Sequence, residues 1–161
     1  RAAAKSKTYR YAIWNGAHPS PFFRHVVWHV PQPLDLDRMA RATQAVIGEH
    51  DFAVFQGRGS DVLTTVRRVL RAEVVEVNVD TDQPVALSPI EFDRGGRLIR
   101  FEITGTGFLR HMVRTIAGTL VDIGRGAMAV EDMRDIIASK DRSRTGQTAP
   151  AQGLMLWTVQ Y

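Results

Sequence analysis

Residues 108–123, FLRHMVRTIAGTLVDI, are the longest stretch of the chain with helical spacing, and no proline interrupts them. At about 100° per residue, Phe108, Leu109, Met112, Val113, Ile116, Leu120 and Ile123 fill one continuous arc of roughly 140°, an ordinary core face. The other side is not polar either. Arg110 and Arg114 share a stripe with Ala117, Gly118 and Val121, small or apolar residues that imply a second packed surface. An arginine half-buried in such a stripe needs an anionic partner, because leaving it unpaired costs several kcal/mol. Arg114 is thus open to two readings, a structural ion pair or a role in a site.

Around this helix the pattern is mostly that of strands. YRYAIWN at 9–15 alternates, with Tyr9, Tyr11 and Ile13 on one face, and reads as a strand closed by an Asn15-Gly16 turn. Residues 16–33 hold four prolines and read as loop. Asp35 is placed to cap a helix over Leu36–Ile47 that Gly48 ends. A turn at Gly57–Asp61 leads to a valine-rich strand over 66–79, whose alternation changes phase from Leu70, Ala72 and Val74 to Val75, Val77 and Val79, as at a bulge or under burial on both faces. Pro84, Pro89 and the turn Asp93-Arg94-Gly95-Gly96 precede RLIRFEIT, where Ile99, Phe101 and Ile103 alternate with Arg100, Glu102 and Thr104. Gly105-Thr106-Gly107 turns into the long helix, which is followed by a second over Glu131–Ser139 and a last strand, LMLWTVQY. The order predicts an α+β fold: a mainly antiparallel sheet with helices packed on one face, built as a single domain over 1–161.

Composition narrows the function classes. Apolar residues make up 44% and charged residues 24%, so the chain is globular in type, and no apolar run approaches the roughly 20 residues of a membrane span. With no cysteine there is neither a disulfide framework nor a thiolate site, which suits the reducing cytoplasm. The net charge is +4, and 18 of the 21 basic residues are arginine, whose planar fork fits phosphates and carboxylates. That composition leans towards anion or nucleic-acid binding. The chain opens Arg1-Ala2-Ala3-Ala4-Lys5 without an initiator methionine or a signal-peptide core. It reads as a piece that starts just ahead of a strand whose sheet neighbours were left behind.

Local motifs for other chemistries are weak. His25 and His29 have the spacing of two ligands on a helix, but Val26 stands where a zinc peptidase carries its glutamate, and Val-Val-Trp prefers a strand. No metal site is expected. Glu49-His50-Asp51 reads as a charged turn, and no G-x-S-x-G elbow occurs.

Three segments, KTYRYAIWN, GFLRHMVRTIAGTLVDIGRG and TAPAQGLMLWTVQY, together resemble the bacterial tRNA pseudouridine synthase A family, and PLDLDRMARATQAVIGEHDF and RRVLRAEV fall in the same order. The resemblance implies an isomerase that converts uridine to pseudouridine on the 3′ side of the tRNA anticodon stem-loop. It further implies an aspartate nucleophile, no metal or organic cofactor, tRNA as partner, and a homodimer. Tyr9 resembles the tyrosine that stacks on the target base, and Arg114 the arginine that pairs with the catalytic aspartate. Phe108 and Met112 are expected to wall the pocket. Lys5, Lys7, Arg10, Arg110 and His111 are candidate RNA contacts.

The family's nucleophile lies in an Arg-Thr-Asp-x-x-Val-His stretch, and here Arg144-Thr145 is followed by Gly146. The 161 residues are therefore expected to supply the stacking tyrosine and the arginine but not the nucleophile, and to be inactive alone. Val54 and Gln56 also depart from the serine and arginine of some members. Two other readings stay open: a noncatalytic RNA-binding module, and a dimerisation module.

Overall fold

Alternating apolar residues build the sheet, and the computed structural model, which describes residues 3–77 and 95–161, shows six strands in it. In chain order the elements are β1 (Ser6–Gly16), β2 (Trp28–Val30), α1 (Leu36–Thr43), β3 (Gly48–Asp51), β4 (Val66–Glu76), β5 (Gly96–Gly105), α2 (Met112–Arg125), α3 (Asp132–Ser139) and β6 (Leu154–Gln160). The strand order is β2-β1-β5-β4-β3, with β6 also paired to β1. All pairings are antiparallel except β1 with β2. This is the expected α+β architecture.

β1 is the hub. One edge pairs with β5 from Lys7 to Gly16; the other is shared by β6 at Ser6–Tyr11 and β2 at Ile13–Asn15. The expectation that its neighbours were left behind is therefore corrected. Asn15-Gly16 is not a turn but the end of the strand, because the Asn15 amide donates to Val30 O at 2.9 Å and Gln32 O at 2.8 Å, tying β1 to β2. His29 falls in β2 and bonds Gly16 O, while His25 accepts from Arg24 at the surface, so the two histidines share no face.

The inner face of the sheet carries Tyr11, Ile13, Val69, Ala72, Val74, Ile99, Phe101 and Ile103, all buried in one core with Met39, Ile116, Leu120 and Ile136 from the helices. α1 packs on α2 and β4, and α2 lies against β1. The outer face is charged. Glu102, 8% exposed, accepts from Arg10 Nε at 2.5 Å and has Arg71 at 3.7 Å and Arg100 at 3.9 Å, and the Arg10 guanidinium stacks 3.7 Å from the Trp157 ring centroid.

Several boundaries differ from the sequence reading, each for a tertiary reason. Asp35 caps α1 as expected, accepting from Arg38 N, but the helix tightens to a 3₁₀ turn over Gln44–Val46. Glu49-His50-Asp51 is strand rather than turn; Asp51 accepts from Ala53 N and Thr65 Oγ1 and pairs with Lys140 at 3.2 Å. The bulge in β4 lies between Val69 and Arg71, which leaves Leu70 exposed and puts Val69 in the core instead. Pro84, Pro89, Val79 and Asp93-Arg94 lie outside the described residues.

The largest correction concerns the long helix, which begins at Met112 rather than Phe108. Arg110 O accepts from Gly57 N at 2.7 Å instead of from its own helix, and His111 takes a left-handed conformation at φ 61°. Phe108–His111 are thereby released from helical geometry. The second packed surface does exist. Residues 146–150 lie along the stripe of Ala117, Gly118 and Val121, with Gly146 N bonded to Thr119 Oγ1 at 3.0 Å and Ala149 N to Arg114 O at 3.1 Å. Among the described residues, no helix is long and apolar enough to cross a membrane.

Candidate active site

Tyr9 sits on β1 two residues before the buried Tyr11, on the inner face, where the sheet edge meets the segment leading into α2. Because Phe108–His111 do not continue the helix, the Phe108 ring can turn to meet Tyr9 edge-on, with centroids 5.1 Å apart and planes at 84°. Below them, Met112 at the first position of α2 is fully buried and forms the floor. Arg114 stands two residues further along α2, and Leu154 closes the wall from the start of β6. Together they bound a cavity of about 240 Å³. This is below the roughly 300 Å³ at which pockets for drug-sized ligands begin.

Arg114 makes no ion pair among the described residues. Its Nε donates to Ala149 O at 2.7 Å, which leaves the rest of the guanidinium without a bonded partner among those residues. The two internal carboxylates that could have answered it are taken: Asp122 by Arg125, and Glu102 by Arg10. A half-buried cation that spends one N–H on a backbone carbonyl keeps its charge available for an anion entering the cavity.

His111 and Arg110 lie on the rim. Partial burial, then the positive charges of Arg114, Arg110 and Arg142, push the His111 imidazole below its ordinary pKa. Arg110 and Arg142 are steadied by backbone oxygens of the 56–59 segment, Arg142 by Gln56 O and Arg110 by long contacts to Arg58 O and Gly59 O at 3.4 and 3.5 Å. No carboxylate pairs with either among the described residues. Gly57 permits this arrangement, since a Cβ there would lie 2.6 Å from His111 Nδ1.

The structure thus brings Tyr9, Phe108, Met112, Arg114, Arg110 and His111 to one place. It does not bring Lys5, Lys7 or Arg10 there. Lys5 precedes β1, Lys7 shares Tyr9's face without reaching the cavity, and Arg10 lies on the outer face bound to Glu102. Leu154, Arg142 and the carbonyl of Ala149 were not singled out from the sequence. Leu154 does belong to the TAPAQGL tail, whereas a backbone carbonyl has no sequence signature.

A family profile described as tRNA pseudouridine synthase matches residues 42–161, nearly three quarters of the chain. The chain belongs to the tRNA pseudouridine synthase family. Among curated relatives, tRNA pseudouridine synthase A of Acetivibrio thermocellus is 40% identical over all 161 residues, and that of Moorella thermoacetica is also 40% identical. The Bacillus licheniformis synthase is 38% identical over the same span. The chain covers 59% of the first relative's length and 58% of the other two. The match to the pseudouridine synthase family includes α2, the tail and β6, and so every pocket residue named above except Tyr9; the longer alignments with individual synthases include Tyr9 as well.

Proposed function

We propose that the complete protein converts uridine to pseudouridine in the anticodon stem-loop of tRNA, and that the cavity of Tyr9 and Arg114 receives the target base. The observation that carries this reading is that a half-buried aromatic ring and an arginine with no carboxylate partner among the described residues open onto one cavity of about 240 Å³. A base must leave its stack to be reached, and an aromatic face is a suitable surface to receive it. In the reaction the glycosidic bond from N1 of the uracil to the sugar breaks, the freed uracil turns, and C5 bonds to the same sugar carbon; C5 then loses its proton and N1 gains one, so that the product is an isomer of the substrate. The carboxylate nucleophile is proposed to come from the part of the protein corresponding to the relatives' remaining length, since its motif does not occur in residues 1–161. Arg114 keeps that carboxylate ionised and oriented by charge pairing. Tyr9 holds the base, while Phe108, Met112 and Leu154 exclude water around it. Residues 1–161 alone are expected to be inactive. On the family resemblance we also propose a cytoplasmic homodimer.

Substitution of Tyr9 in the complete enzyme tests the base-stacking role. Stacking of a base on an aromatic ring is worth roughly 1–3 kcal/mol, so Tyr9→Leu should lower turnover of a tRNA anticodon-arm substrate by about one to two orders of magnitude. Tyr9→Phe should retain most activity. If phenylalanine proves as damaging as leucine, the hydroxyl rather than the ring face has the role.

The second reading, an RNA-binding module, is favoured by Arg110 and Arg142, cations whose bonds among the described residues go only to backbone oxygens. It predicts tRNA affinity that falls steeply between 50 and 200 mM salt as phosphate contacts release counterions. Arg142→Gln should flatten that slope by about one phosphate. Filter binding across a salt series measures both, and a flat response would exclude electrostatic binding by this face.

A further inference from the structure

Tyr11 is fully buried on β1, and none of the roles described so far uses its hydroxyl. The hydroxyl donates to Pro150 O at 2.6 Å. The preceding carbonyl, Ala149 O, accepts from Arg114 Nε at 2.7 Å, and Ala149 N donates back to Arg114 O at 3.1 Å. Two side chains from different elements therefore grip adjacent carbonyls of one short segment. Burial raises the phenol far above its ordinary pKa, outweighing the opposing pull of the Arg114 charge, so the hydroxyl remains a donor at any working pH. The fit is close, because a Cβ on Gly153 would lie 2.7 Å from Tyr11 Cζ and 2.9 Å from Ala12 O.

We propose that Tyr11 is a positioning residue for Arg114: by fixing the Ala149–Pro150 carbonyls from the sheet side, it sets the direction in which the guanidinium meets an anionic group in the cavity. A guanidinium is planar, so its bond through Nε to a fixed carbonyl also fixes the plane of its two remaining nitrogens. If Pro150 O is released, the Ala149 carbonyl can swing and the Arg114 plane swings with it. A displacement of about 1 Å at such a group is enough to cost turnover without altering substrate binding. The same motif that supplies Tyr9 thus supplies a second tyrosine with a different task, and the inference rests on the cavity being the reaction site.

The test is a double-mutant cycle in the complete protein, with single-turnover pseudouridine formation, tRNA Kd and the urea midpoint measured for each variant. Tyr11→Phe should lower the rate about tenfold, one hydrogen bond's worth, with Kd unchanged. Arg114→Lys, which loses the planar fork, should cost more, and adding Tyr11→Phe to it should cost nothing further, because the group being positioned is already gone. Thr119→Val serves as the structural control: it removes the bond to Gly146 N and loosens the same tail, yet leaves the gripped carbonyls alone. It should lower the urea midpoint but not the rate. Multiplicative losses in the double variant, full activity in Tyr11→Phe, or an equal rate loss in Thr119→Val would each overturn the positioning role. Full activity in Arg114→Lys would overturn the reading of the cavity as well, which separates the two failures.

Discussion

Gly118→Ala is expected to destabilise the protein by about 3 kcal/mol or more, a large cost for one methyl group. The new Cβ would overlap the Gln147 carbonyl oxygen outright and stand 2.9 Å from its carbon. Its neighbour is backbone, which cannot rotate away as a long side chain can. Either α2 shifts in a core where Ile116, Ala117 and Leu120 are fully buried, or the 146–150 segment lifts. Lifting breaks the Gly146–Thr119 bond and takes Ala149 O away from Arg114, each worth about 1 kcal/mol, in addition to the overpacking itself. In urea the midpoint should fall by roughly 1–2 M. A fall of less than about 0.3 M, well under 1 kcal/mol at ordinary slopes, would mean that the tail is not seated on the helix as described. Turnover should fall together with stability, since the segment that must move carries the carbonyl to which Arg114 is bonded.

Arg114→Met should separate stability from function. The variant loses the bond to Ala149 O but gains a thioether in a stripe that is otherwise apolar, so unfolding should change by no more than about 1 kcal/mol in either direction. Turnover of the complete enzyme should fall on the order of 10³-fold, because removing one partner of a desolvated charge pair costs about 3–5 kcal/mol. The measurements are a denaturation curve and a single-turnover rate on the same preparation. If the protein unfolds while its residual rate per folded molecule stays high, Arg114 is a structural residue and the site assignment fails. The absence of an ion pair to Asp122 or Glu102 is what makes the two effects separable.

Alternation was a reliable guide where a strand has one wet face and one dry face. Ile99, Phe101 and Ile103 are buried and Arg100 and Thr104 are not, as their spacing requires, while Glu102 departs from it, buried on the outer face under Arg10 and Arg100. α3, the Asp35 cap and β6 were legible for similar local reasons. The start of α2 was not, because Phe108–His111 keep helical spacing and only the Gly57 amide, far away in sequence, takes the carbonyl that would have continued the helix. β3 was hidden by its polar residues: an edge strand four residues long has little apolar pattern to show. In the site, Tyr9 and Arg114 stand out from their motifs, but the Ala149 and Pro150 carbonyls that bond Arg114 and Tyr11 belong to the backbone. Arg10 misled in the other direction, since one position along a strand reverses the face, and the outer face holds Glu102.

The charged outer face has a consequence for how a large polyanion approaches. There, Arg10, Arg71 and Arg100 surround Glu102, and Glu73 takes Arg71 as well, so much of that face's positive charge is neutralised locally. Around the cavity, Arg110 and Arg114 in its lining and Arg142 beside His111 have no such counter-charge among the described residues. These three cations act together on His111, so the positive charge around the cavity is not cancelled among the described residues. On the proposed tRNA reading, an uncancelled field of this kind acts beyond contact distance and steers the phosphate backbone towards the cavity before the two surfaces meet.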